Sequence, residues 1–136
     1  MKVVLDTNII LASVSPFSPY HSVFEKFEQG VFTLCLSTEI ILEYEEKLSE
    51  KFSPTVAELT LGGILLKENI SFTEIFFRMR LLYPDMDDNK FADCAFAANA
   101  HLLVTNDKDF NVLKKIKFPQ LIVKNMEEFI QELKNM

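Results

Sequence analysis

Val3-Val4-Leu5-Asp6-Thr7-Asn8 decides how this chain is read. The first three residues make a short branched apolar run that stops abruptly at a polar turn, the pattern of a buried strand. A second run of the same kind, Leu102-Leu103-Val104, stops at Thr105-Asn106-Asp107. In an open parallel sheet such turns sit at the carboxyl ends of the strands, beside the crevice where strand order switches. If these two strands are neighbours there, Asp6 and Asp107 face each other across it. Taken singly, each aspartate serves equally well as a helix cap; two at matching places point to a site.

Outward from these strands, helices and strands alternate. Ile9-Ile10-Leu11 opens a short helix that ends near Pro16 and Pro19, and Val23, Phe24, Phe27 and Val31 give helical spacing over residues 20–29, with Gly30 beyond. Residues 32–36 read as a strand. Ser37-Thr38-Glu39 starts a helix with the apolar stripe Ile40, Ile41, Tyr44 and Leu48. Ser53-Pro54 starts another, which runs to about Lys67 across Gly62-Gly63. Residues 70–77 have strand composition, although residues 76–82 suit a helix equally well. The acidic loop Asp85-Met86-Asp87-Asp88-Asn89 leads into a helix over residues 90–100 with the small packing face Phe91, Ala95 and Ala98. A helix over 110–115, a strand over 121–123 and a helix over 126–134 complete the pattern. The expectation is one domain over residues 1–136, an α/β three-layer sandwich around a mostly parallel central sheet.

Composition excludes several classes. With 136 residues, 49% of them hydrophobic and 13 of them Phe, the chain can bury a core without staples, and 3 Gly and 5 Pro exclude a collagen-like or low-complexity chain. Cys35 and Cys94 lie in apolar runs, as buried free thiols of a reducing compartment do. No run approaches the roughly 20 apolar residues of a membrane span, and residues 1–12 make a poor signal peptide. The chain is therefore expected to be cytoplasmic with no membrane partner. Fourteen Lys and Arg against 20 Asp and Glu give a net charge of −6, which argues against a broad basic surface for nucleic acid. Contact with phosphates through a metal ion stays open.

Asp88 and Asp93 stand at and just inside the start of the 90–100 helix. Carboxylates there complement the helix dipole, but this helix must also pack beside the crevice. Glu43 lies near Ile40 and Tyr44 on the inward side of its helix, whereas Glu45 and Glu46 read as solvated charges. Several carboxylates brought together repel one another and call for a cation. An all-oxygen set without Cys or His suits Mg²⁺ or Mn²⁺ far better than Zn²⁺. Such an ion activates water and stabilises charge on a phosphodiester.

Taken in order, these segments resemble the PIN-domain family. Val3-Val4-Leu5-Asp6-Thr7-Asn8-Ile9-Ile10-Leu11 is similar to its opening strand and turn, and Ser37-Thr38-Glu39-Ile40-Ile41-Leu42-Glu43 to its Ser-started helix with an acid six residues on. Residues 85–90 with Phe91-Ala92-Asp93-Cys94-Ala95, then Leu103-Val104-Thr105-Asn106-Asp107-Lys108-Asp109-Phe110, resemble its last two elements. Asp-Thr-Asn alone is a weak signal; four motifs in order, over residues 1 to about 125, are a strong one.

The resemblance implies a metal-dependent nuclease with a parallel sheet, acting mostly on RNA. Its acidic loop and Asp88-Asn89-Lys90 look most like the toxin branch of prokaryotic toxin–antitoxin pairs. Carried over, the catalytic acids are Asp6, Glu43, Asp93 and Asp107, with Asn8 and Thr105 as polar groups supporting them. Mg²⁺ or Mn²⁺ would rest on Asp6 and Asp107 with Asp88 or Asp93; the third acid is open, because relatives place one at either position. Asn106 stands where relatives often carry Gly, which would stiffen that turn. The implied partners are RNA, an antitoxin protein and a second copy of the chain.

Arg78 and Arg80, with Lys90 and Lys108, are the candidates for RNA phosphates. Phe72, Phe76 and Phe77 read as core before they read as a partner-facing patch. His21 and His101 have no Ser or Cys at catalytic spacing, and no Gly-rich nucleotide-binding motif occurs. An aspartyl-phosphate phosphatase would want an acid two residues after Asp6, where Asn8 stands. The remaining alternative is a catalytically inactive PIN-like module that binds RNA or a protein.

Overall fold

Five short strands form the sheet in a computed structural model that describes residues 1–75, 89–115 and 121–136. They are β1 (Lys2–Leu5), β2 (Thr33–Leu36), β3 (Ile70–Phe72), β4 (Leu102–Val104) and β5 (Ile122–Lys124). Their order is β3-β2-β1-β4-β5, and every pairing is parallel. The chain thus leaves β1 towards one edge and returns beside β1 at β4, which puts the switch in strand order between these two. Successive residues Val3, Val4 and Leu5 are at most 1% exposed, so both faces of the central strand are covered. That is why its sequence is continuously apolar instead of alternating.

The helices are α1 (Thr7–Ser13), α2 (His21–Glu28), α3 (Thr38–Lys51), α4 (Pro54–Leu65), α5 (Asn89–Ala97) and α6 (Met126–Lys134). Their starts follow the cap signals. Ser37 Oγ accepts the Ile40 N–H at 3.3 Å, and Ser53 Oγ accepts that of Val56 at 3.1 Å, just ahead of Pro54. Asn125 and Glu128 form a reciprocal capping box at the head of α6. Gly30, at φ +79°, ends α2 in the left-handed conformation that favours glycine. α5 packs on β1, β2 and β4 through Phe91, Ala92, Cys94 and Ala95. On α6, Phe129 meets Phe32 edge to face at 5.3 Å.

Three expectations are corrected. The helix expected over 110–115 is a 3₁₀ segment, Lys108–Lys115, that buries Phe110 and Leu113. Two apolar anchors three residues apart match the three-residue turn of a 3₁₀ helix. β5 lies one residue later than expected, because its ladder pairs Leu102 with Ile122 and Val104 with Lys124. Phe72 is 52% exposed, not core: β3 is only three residues long and forms the edge of the sheet. Phe76, Phe77 and the 76–82 segment lie outside the described residues.

Cys35 and Cys94 are buried and unbridged, as expected. Burial pushes the Cys94 thiol up to about 12, which keeps it neutral and unreactive. Among the described residues no helix is long and apolar enough to cross a membrane.

Candidate functional site

Asp6 is the residue at which β1 becomes α1. Its N–H still extends the ladder, donating to the Val104 carbonyl at 3.0 Å, while its own carbonyl accepts the N–H groups of Ile9 and Ile10 at 2.9 and 3.3 Å. The carboxylate does not cap α1. It accepts the Thr105 hydroxyl on Oδ2 at 2.7 Å instead, from the turn that ends the neighbouring strand. The capping explanation of Asp6 therefore fails here.

Thr105 joins the two turns. Its oxygen donates to Asp6 and accepts the Asp107 N–H at 3.0 Å, so one buried hydroxyl fixes the carboxylate of one acid and the backbone of the other. Asp107 is half-buried, and its Oδ1 accepts the Asp109 N–H at 2.9 Å, which starts the 3₁₀ segment. Asn106 Oδ1 accepts the Met126 N–H at 2.9 Å and ties this turn to α6, a tether that glycine at the same place would lack.

Asp6 is 6% exposed, and desolvation pushes its pKa above the ordinary carboxylate value. The hydrogen bonds from Thr105 and from the Thr7 backbone pull it down; the charges of Glu43 and Asp107 push it up again. Glu43 and Asp107 thus both lie within electrostatic reach of Asp6.

On α3, Glu43 is held at both oxygens. The Thr7 hydroxyl donates to Oε2, and the Lys90 ammonium lies 2.6 Å from Oε1 with its side chain only 15% exposed. Lys90 therefore belongs to the acid cluster and does not stand as an open RNA contact. Glu45 and Glu46 are exposed, as expected. Asp93 is 3% exposed, buried within α5. Asn8 is exposed and makes no side-chain hydrogen bond among the described residues, so the supporting role falls to Thr105 and to Thr7. Thr7 and Lys90 were missed as partners of Glu43, because the two bonds span 36 and 47 positions and no local pattern signals them. Lys108 is exposed, beside Asp107. Asp88, Arg78 and Arg80 lie outside the described residues.

Among the described residues no group of three His, Cys, Asp or Glu side chains is placed to hold a metal ion by itself. Asp6 and Asp107 nonetheless fit a hard divalent cation: both are oxygen donors, and the inner one is a buried carboxylate whose pKa is raised by desolvation and by its acidic neighbours. Mg²⁺ is commonly held by one or two carboxylates with water and substrate phosphate completing its shell.

A family model of the PIN domain matches residues 2–109, the span from β1 through Asp107. Among solved structures, a chain of VapBC2 from Rickettsia felis, crystallised on a DNA fragment from its promoter, is similar with a TM-score of 0.62 at 21% identity. The match covers 92% of this chain and 98% of that one. VapC20 of Mycobacterium tuberculosis, a sarcin–ricin loop cleaving toxin, is similar with a TM-score of 0.61 at 12% identity, over 85% of this chain and 97% of that one. At such identities these likenesses show the shared fold. No curated protein matches the chain.

Proposed function

The chain belongs to the PIN-domain family, and on that premise we propose that it is a metal-dependent endoribonuclease that hydrolyses phosphodiester bonds of single-stranded RNA. Its physiological role in this reading is the toxin of a toxin–antitoxin pair in the cytoplasm, with RNA as substrate and an antitoxin protein as partner. The observation that carries the reading is the Thr105 hydroxyl shared between Asp6 and Asp107 at the switch point of the sheet. The fold likeness to VapBC2 and to a toxin that cleaves the sarcin–ricin loop supports the toxin role.

When bound, Mg²⁺ or Mn²⁺ supplies a water of lowered pKa and charge for the phosphoryl oxygens. Asp6 and Asp107 hold the ion, with Asp93 as the third acid; Asp93 is preferred to Asp88 because α5 fixes it on its inward face. Thr105 orients the Asp6 carboxylate, and its hydrogen bond works against the desolvation that raises the Asp6 pKa. Thr7 and Lys90 hold Glu43 toward the same crevice. The Lys90–Glu43 pair also favours a second reading, an inactive module that binds RNA, because it neutralises one of the four acids.

Cleavage of a single-stranded RNA in Mn²⁺, in EDTA and by variants tests the two. We expect cutting in Mn²⁺, none in EDTA, and a loss of about a thousandfold or more in Asp6→Asn and Asp93→Asn. Metal-independent cutting that survives in Asp6→Asn overturns the nuclease reading.

A further inference from the structure

Residues 108–124 hold five lysines and a single aspartate in a chain whose net charge is −6. Three of these lysines meet in one place: Lys108, Lys114 and Lys124 line a groove of about 220 Å³ together with Asp107, Asn111 and Glu128. The groove begins at Asp107, the outer acid of the candidate centre, and extends along the 3₁₀ segment to the head of α6.

Its charges divide into committed and open ones. Lys124 is paired with Glu132 on α6 at 2.5 Å. Glu128 accepts the Asn125 backbone N–H at 2.9 Å in the capping box, but its charge still faces the groove. Lys108 and Lys114 are exposed and pair with no carboxylate among the described residues. Elsewhere an acidic protein repels a polyanion, so two open ammonium groups beside the acid centre would set where a nucleic-acid backbone lies.

We infer that this groove seats the RNA phosphate next to the one at the acid centre, with Lys108 and Lys114 on its oxygens and the Asn111 amide as a further donor. The inference rests on the nuclease reading for the identity of the polyanion. The groove opens to solvent and adjoins Asp107, so a strand lying across the acid centre continues into it. A phosphate held there carries no base information; it fixes register.

The test measures binding of a single-stranded RNA oligonucleotide in Mg²⁺ to the non-cleaving Asp6→Asn protein, with and without Lys108→Ala plus Lys114→Ala. Affinity should fall about tenfold, and the slope of log affinity against log salt should flatten by about 1.4, at about 0.7 per lost contact on a single strand. Glu128→Gln keeps the cap and removes a repelling charge, so it should tighten binding about twofold. Lys134→Ala, exposed at the far end of α6, serves as the control for loss of a surface lysine elsewhere and should leave the slope unchanged. In the otherwise wild-type protein the lysine pair should raise KM several-fold with little change in kcat. Unchanged affinity and slope in the doubly substituted protein, with its melting temperature intact, overturn the groove and leave the nuclease reading standing. Lysine-dependent binding by a wild-type protein that cleaves nothing in Mn²⁺ overturns the nuclease reading and leaves the groove. Failure of the Asp6→Asn protein to bind RNA with all its lysines present overturns the groove as an RNA site.

Discussion

Asp6-Thr7-Asn8 and Thr105-Asn106-Asp107 close neighbouring strands at the same end of the sheet with the same three residue types, in a different order. In the first turn the acid comes directly after the strand; its backbone is still in the ladder, and the residue is 6% exposed. In the second, threonine takes that inner place and the acid stands two residues further out, half-buried. The residue just past a strand inherits the burial of the strand. Order within the turn thus decides which acid is desolvated and which meets solvent. Each threonine then serves an acid from another element: Thr105 serves Asp6, and Thr7 serves Glu43.

The contrast should be largest for a lengthened acid. Asp6→Glu forces a methylene into a closed site, at a cost of about 1–3 kcal/mol, and should lose cleavage nearly as completely as Asp6→Asn. Asp107→Glu has room to shift and should keep a measurable fraction of wild-type cleavage. Equal losses in steady-state cleavage would break the distinction between an inner and an outer acid.

The two threonines sharpen the same comparison at a smaller scale. Thr105→Val leaves the buried Asp6 charge without its side-chain donor. It should destabilise the fold by about 1–3 kcal/mol and reduce cleavage about 10–100-fold. Thr7→Val should cost less on both counts, since Glu43 keeps Lys90. Denaturant melts with single-turnover cleavage would show whether that order is reversed.

The smallest expected effect is on metal-free stability. Asp6 has its pKa raised in the fold, so the folded protein holds that proton more tightly than the unfolded chain. Stability from this group is present below the unfolded value of 3.8 and is lost as pH rises towards the raised folded value. Asp6→Asn removes that loss, so in EDTA at pH 7 it should melt a few degrees above wild type, with the difference closing in acid. Thermal melts across pH in EDTA check the sign.

How much of this was legible before folding follows from which signals are local. The runs Val3-Val4-Leu5 and Leu102-Leu103-Val104, and the caps Ser37 and Ser53, act within a few residues, and each marked its element near its observed place. The four motifs, read in order, added the assignment of Asp6, Glu43, Asp93 and Asp107 as a set. What stayed hidden depends on docking. The bond from Thr7 to Glu43 spans 36 positions and that from Lys90 to Glu43 spans 47, so no periodicity reports them. Phe72 looked like core because its composition carries no record that β3 is the sheet edge. The lysines of residues 108–124 were averaged away in a net charge of −6, although their clustering was visible along the chain.

A Mn²⁺ titration followed by thermal melting tests the account at its centre, because an ion that binds only the folded site must stabilise it. Wild type should gain about 2.7 kcal/mol at a hundredfold excess over the dissociation constant. Asp6→Asn and Asp107→Asn should each lose most of that gain, despite melting no lower than wild type in EDTA. A gain of wild-type size in both variants would place the ion away from the two turns and contradict the account.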